Sequence, residues 1–144
     1  MPTPNTVMIE QLLEEMWNKR NLTIIDEVFL ADAMVSDPAV PAVTTVESFK
    51  QFVASYLVAF PDLQLTLDDY FAADEKVAAR WTVRGTHKGA FFGVAPTEQS
   101  VLVTGITLFR VVGDKIAECW TQWDSSGLMQ QLGNVTSTTP RAGA

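Results

Sequence analysis

The stretch Val101–Asp124 reads VLVTGITLFRVVGDKIAECWTQWD. Val101, Val103, Gly105, Thr107, Phe109 and Val111 fall on one parity, which is the period of a strand with one buried face. Val112-Gly113-Asp114-Lys115 then makes a tight turn, so the stretch predicts a β-hairpin. Gly105 in mid-strand marks a bulge or a sharp curvature. In the second arm, strict alternation puts Ile116, Glu118, Trp120, Gln122 and Asp124 on one side. A face with two carboxylates, an amide and an indole is either wet or lines a pocket that needs polar groups.

The same period runs back along the chain. Leu63, Leu65 and Leu67 alternate with Asp62, Gln64 and Thr66, and Val77, Ala79, Trp81 and Val83 alternate with Ala78, Arg80, Thr82 and Arg84. Before residue 61 the period is helical. Thr3-Pro4 reads as an N-cap with proline at the first helical position, followed by Met8, Ile9, Leu12, Leu13, Met16 and Trp17 on one face. Thr23 and Asp26 open a second helix carrying Ile25, Val28 and Phe29. Asp32–Val43, with Pro38 and Pro41, reads as loop. Thr44 and Glu47 suggest a capping box for a long helix whose stripe is Phe49, Phe52, Val53, Tyr56, Leu57 and Phe60, ended by Pro61. That stripe packs on a sheet, and Phe52 and Tyr56 are candidates for a pocket wall. Helices followed by antiparallel strands make an α+β fold, in which a curved sheet around a helix can enclose a cavity.

The chain of 144 residues fits one domain, expected over residues 1–133, with a flexible polar tail over 134–144. Its net charge is -7 and its Lys and Arg residues form no run, which argues against nucleic acid and anionic membranes as partners. No signal peptide and no membrane-length apolar run is visible, so the expected location is the cytoplasm. Cys119 is the only cysteine and reads as a small buried hydrophobe. No serine sits in an elbow motif, and one histidine, one cysteine and dispersed acids give no metal-ligand spacing, so no metal or cofactor is expected. Gly89 and Gly93 flank aromatics, not the Gly-Lys-Ser/Thr of a phosphate loop.

The run Arg80–Thr97, RWTVRGTHKGAFFGVAPT, resembles the SnoaL-like polyketide cyclase family. So do Ala59–Leu63, the later run from Gly105-Ile106 through Asp124, and Gly127-Leu128 with Gln131-Leu132-Gly133. The resemblance implies a cone-shaped α+β barrel, its mostly antiparallel sheet curved around a long helix, as in nuclear transport factor 2, ketosteroid isomerase and limonene epoxide hydrolase. It implies a cofactor-free intramolecular aldol ring closure of a polyketide-like ester, and a homodimer formed through the sheets. The family's acid/base aspartate near the end of the last strand corresponds to Asp124. The competing account of Asp124 is an N-cap for a short helix at Ser125-Ser126-Gly127. His87, on the parity of Trp81 and Val83, is a candidate to bind a substrate oxygen or assist proton transfer, against a purely structural role. Trp81, Glu118, Trp120 and Gln122 complete the candidate contacts to a small hydrophobic or aromatic carbonyl compound.

Three departures bear on the substrate. The family often has Pro-Thr-Gly-Arg where this chain has Pro96-Thr97-Glu98-Gln99, and a histidine where it has Cys119. Ala33–Pro38 also lacks a histidine common in the family. Fewer imidazoles leave open a different substrate, ketone isomerisation or epoxide hydrolysis on the same fold, or a binding protein without turnover.

Overall fold

The computed structural model describes residues 3–133; the tail expected over 134–144 lies outside the described residues. The elements run α1 (Pro4–Leu13), a π-helical turn (Glu14–Asn18), α2 (Thr23–Val28), β1 (Phe29–Ser36), α3 (Val46–Ala59), β2 (Gln64–Ala73), β3 (Lys76–Thr86), β4 (Ser100–Val112), β5 (Lys115–Trp123) and α4 (Ser125–Gln131). Thr3 caps α1 reciprocally with Thr6, and Thr45 caps α3 reciprocally with Ser48, one residue later than the Thr44–Glu47 expectation. The Thr23–Asp26 box is not formed, since α2 starts from Leu22 with no side-chain cap.

The strands form one sheet in the order β1-β5-β4-β3-β2. All neighbours are antiparallel except β1 and β5, which are parallel. The α+β class therefore holds, but the cone-shaped barrel does not: β1 and β2 are two edges that do not pair with each other. Closure requires every edge to find a strand. Here the edges are satisfied locally instead. The Asn18 amide accepts from the Leu65 N–H at 2.7 Å and donates to the Leu65 carbonyl at 3.0 Å, in the manner of a neighbouring strand. On the other edge, the Val35 N–H donates to the Thr44 carbonyl at 3.1 Å. Nor does one long helix fill the sheet's concavity. α3 has 14 residues and shares the core with α1, the π turn and α2 through Ile9, Leu12, Met16, Ile25, Val53 and Tyr56.

β1 falls where a loop was expected. Its Ala33 and Val35 point into the core, and the same parity carries on to Asp37 just past the strand end. In β5, Ile116 pairs with Val111 and Glu118 with Arg110, so Ala117 is an extra residue without an opposite number. The bulge shifts the parity that strict alternation predicts. Ile116 and Cys119 both face the core, while Trp120 and Gln122 face outward.

Gly105 is not a bulge, for it pairs in register with both Trp81 and Trp123. Its reason is proximity. A Cβ there would lie 2.5 Å and 2.6 Å from atoms of the Trp81 ring and 2.9 Å from the Gln122 carbonyl oxygen. Gly105→Ala is expected to destabilise the protein by about 1–3 kcal/mol, the usual effect of overpacking. Urea unfolding checks it, and an unchanged midpoint would show that the indole has room to move.

Candidate active site

The pocket lies between the sheet and the helices. α1 and the π turn supply Leu12, Leu13, Met16 and Trp17 to its wall, and α3 supplies Phe49, Phe52 and Tyr56, spaced three and four apart on one helical face. Trp81, Val83, Thr107, Phe109, Cys119, Thr121 and Trp123 come from the inner face of β3, β4 and β5. The space between these walls is about 650 Å³ with the mouth included, of which about 70 Å³ admits the centre of a water molecule. That is room for several waters or a small ring system. Larger ligands require the aromatic walls to shift.

Among the described residues, Asp37 is the only carboxylate in this lining. Its side chain is held from two directions. The Trp123 indole N–H donates to the carboxylate, with Nε1 2.8 Å from Oδ2 and 3.1 Å from Oδ1, and the Ala39 N–H donates to Oδ1 at 3.0 Å. Burial raises the Asp37 pKa above the ordinary carboxylate value, against the opposing pull of the Trp123 and Ala39 hydrogen bonds. A raised carboxylate inside an apolar wall is a stronger base than one in water, provided that it is ionised. Burial, and secondarily the charge of Asp37, push up the neighbouring acids: the Tyr56 phenol stays protonated, and the Cys119 thiol is pushed up to about 12. Cys119 is therefore a neutral thiol and a poor nucleophile near neutral pH. Tyr56 sits at the centre of the aromatic cluster, 5.6 Å from Trp17, 4.7 Å from Phe91 and 6.1 Å from Trp123 between ring centroids. Its hydroxyl has no hydrogen-bond partner among the described residues, which leaves a donor free in the pocket wall.

The structure brings together only part of the residue set expected from the sequence. Phe52, Tyr56 and Trp81 line the pocket. Trp120 and Gln122 are turned to the outer face of the sheet, and Glu118 is there too, bonded to the Arg110 guanidinium at 2.5 Å. Asp124 is exposed and caps α4, accepting from the Gly127 N–H at 2.9 Å, and does not line the pocket. His87 is fully buried but outside the lining. Its Nδ1 accepts from the Thr97 N–H at 3.2 Å, which places the ring proton on Nε2, and its backbone bonds Glu98 and Gln99. It staples the base of the loop that carries Phe91 and Phe92. No group of three or more His, Cys, Asp and Glu side chains among the described residues is arranged to hold a metal, and no helix among them is long and apolar enough to cross a membrane.

Sequence reasoning missed Asp37, Thr107, Thr121 and Trp123. The parity Ala33, Val35, Asp37 running into Pro38 was the available signal for the carboxylate. Thr121 and Trp123 were hidden by the extra residue at Ala117.

A buried carboxyl with a raised pKa binds its proton more tightly in the folded chain than in the unfolded one. Stability contributed by that proton is present at low pH and is lost as pH rises from the unfolded pKa through the folded one. Asp37→Asn removes this titration. Its urea midpoint is expected to gain on that of wild type as pH rises above the ordinary carboxylate value. A wild-type-minus-variant difference in midpoint that stays constant or grows with pH would contradict the raised value.

Comparison with known proteins agrees with this architecture. AclR from Streptomyces galilaeus, a proposed hydroxylase, is 28% identical with a TM-score of 0.80, over 90% of this chain and 84% of its own. IdmH from Streptomyces antibioticus, a proposed polyketide cyclase, is 28% identical with a TM-score of 0.79, over 92% of this chain and 99% of its own. TsrD from Streptomyces laurentii is 25% identical with a TM-score of 0.82, over 92% of this chain and 96% of its own. No curated protein matches significantly. The sequence profile of the SnoaL-like polyketide cyclases matches residues 7–132, and the chain belongs to that family.

Proposed function

We propose that this protein removes a proton from the carbon beside a ketone carbonyl in a small ring compound, with Asp37 as the base, and so starts an intramolecular aldol ring closure. The observation that carries this is a single carboxylate, raised by burial, in an otherwise apolar pocket. The carbon-bound proton passes to the Asp37 carboxylate, and the electron pair moves onto the carbonyl oxygen. The Tyr56 phenol, protonated and unpartnered, donates to that oxygen as its charge develops. The enolate carbon then bonds to a second carbonyl carbon of the same molecule. Asp37 returns the proton to the new alkoxide, so no cofactor enters the balance. The similar proteins carry both cyclase and hydroxylase names, so likeness alone does not choose the chemistry; a buried carboxylate in an apolar wall supports proton removal.

Proton removal is measurable without the natural substrate, as exchange of the carbonyl-adjacent protons of β-tetralone in heavy water. Asp37→Asn is expected to slow the catalysed exchange by on the order of 10²–10⁴-fold. Tyr56→Phe is expected to slow it less, by on the order of 10²-fold. Asp124→Asn is expected to leave it within about twofold, because asparagine caps a helix as well as aspartate does. Full activity in Asp37→Asn with loss in Asp124→Asn would reverse the assignment. With longer polyketide-like esters, aldol ring closure and isomerisation both leave the mass unchanged, and carbon-13 spectra tell them apart by the new ring carbon–carbon bond and the ketone carbonyl converted to a carbinol.

We also propose a homodimer through the outer face of the sheet. Phe71, Ala78, Leu108 and Trp120 stand opposite one another across four strands, an apolar row flanked by Ile106 and Arg80. Phe71 is 66% and Ile106 51% exposed in the single chain, more apolar surface than an unpartnered face usually shows. A two-fold axis on this row would bury the same residues of both copies. Sedimentation should show a dimer at tens of micromolar for wild type, a concentration that reveals micromolar association, and a monomer for Phe71→Glu. A monomeric wild type would remove the proposal.

A further inference from the structure

The pocket holds a second polar feature that proton removal does not use. Trp81 Nε1–H donates to Thr107 Oγ1 at 3.1 Å, and Thr107 Oγ1 lies 3.0 Å from Thr121 Oγ1. Thr107 and Thr121 face each other across β4 and β5, and both line the cavity. The indole reaches Thr107 because Gly105, its own partner in the ladder, leaves space for the ring.

The direction of this chain follows from the donors. An indole N–H only donates, so Thr107 Oγ1 must accept from Trp81. Thr107 is 6% exposed, and its proton needs a partner or costs desolvation. Thr121 Oγ1 is the only acceptor that it has among the described residues. Thr121 Oγ1 therefore accepts, and its own proton is left without a partner among the described residues, on a pocket-lining side chain. The reverse order would leave the more buried Thr107 proton unpaired while Thr107 Oγ1 accepted twice. Thr121 also lies two residues before Trp123, the residue that holds Asp37, on the same face of β5. Two residues of strand separate their Cα atoms by about 7 Å, a distance that a fused ring system can bridge.

We infer that Thr121 donates a hydrogen bond to a second oxygen of the ligand, so that the pocket selects ring ketones oxygenated at two separated positions. This deepens, and rests on, the reading of the pocket as a ketone site with Asp37 as its base. One oxygen, the carbonyl, is met beside Asp37 by Tyr56; the other is met at Thr121. An apolar wall by itself discriminates weakly, whereas a buried donor that must be satisfied rejects a ligand lacking its acceptor.

The test compares β-tetralone with the positional isomers of ring-hydroxylated β-tetralone, with affinity read from tryptophan fluorescence. Wild type is expected to bind at least one hydroxylated isomer on the order of tenfold tighter than the parent ketone. Thr121→Val is β-branched, suits a strand, and should bring that ratio to about one. Thr121→Ala should do the same, which keeps the result independent of how valine packs, and Thr121→Ser should restore the preference. The proposal is overturned if no isomer exceeds the parent in wild type, absence of binding included, or if Thr121→Val and Thr121→Ala keep the preference. Asp37→Asn separates the two claims. If the base assignment alone is wrong, exchange survives in Asp37→Asn while the hydroxyl preference remains in wild type. If the Thr121 assignment alone is wrong, exchange is lost in Asp37→Asn while the preference is absent or insensitive to Thr121.

Discussion

One extra residue in β5 sets the chemistry of the pocket. With Ala117 bulged out of the ladder, Cys119, Thr121 and Trp123 face inward and Glu118, Trp120 and Gln122 face outward. Because side chains alternate with a period of two, removing that residue would exchange the two sets at once. The pocket would lose the indole that holds Asp37 and the threonine opposite Thr107. It would gain a carboxylate now bonded to Arg110. The outer face would lose Trp120 from its apolar row in the same stroke. A local insertion thus fixes both the interior and the surface of the sheet.

The pocket is organised by opposed demands on Asp37. Burial disfavours its charge, and hydrogen bonds from Trp123 and Ala39 favour it. Burial prevails, and the result is a carboxyl that stays basic in an apolar wall. The same wall keeps the Cys119 thiol and the Tyr56 phenol protonated, so the site contains one group ready to accept a proton and two that hold theirs. Cys119 contributes no titration near neutral pH, and the charge of the pocket wall rests on Asp37.

Periodicity carried much of the fold. The start of α1 at Thr3-Pro4, the stripe of α3, the alternation of β2 to β4 and the Gly113 turn all follow from side-chain spacing and backbone preference. The wall positions of Phe52, Tyr56 and Trp81 follow from the same patterns. Whether a sheet closes is not a matter of period, since alternation reports faces and says nothing of edges. The Asn18 amide that occupies the edge of β2 sits 47 residues away from its partner in the chain. β1 was obscured because Phe-Leu-Ala-Asp-Ala-Met-Val-Ser mixes strand formers with alanine and aspartate. Asp37 shared that obscurity, and its proline neighbour made it look like ordinary loop. The β5 faces were misassigned because a bulge of one residue leaves no compositional mark.

The parallel pairing of β1 with β5 bears on the order in which the molecule assembles. The β4–β5 hairpin and the β2–β3 pair join neighbouring segments and close short loops. The Asp37–Trp123 contact joins residues 86 apart in the chain, and loop-closure entropy opposes such contacts until the intervening strands are in place. β1 is also an edge, held to the sheet on one side only. The carboxylate is therefore carried on the segment that docks among the last during folding and detaches among the first during partial unfolding. Basicity in the pocket then becomes a late property of the folding chain: an ensemble that has already formed its antiparallel strands, yet left β1 undocked, has most of the cavity wall and no base.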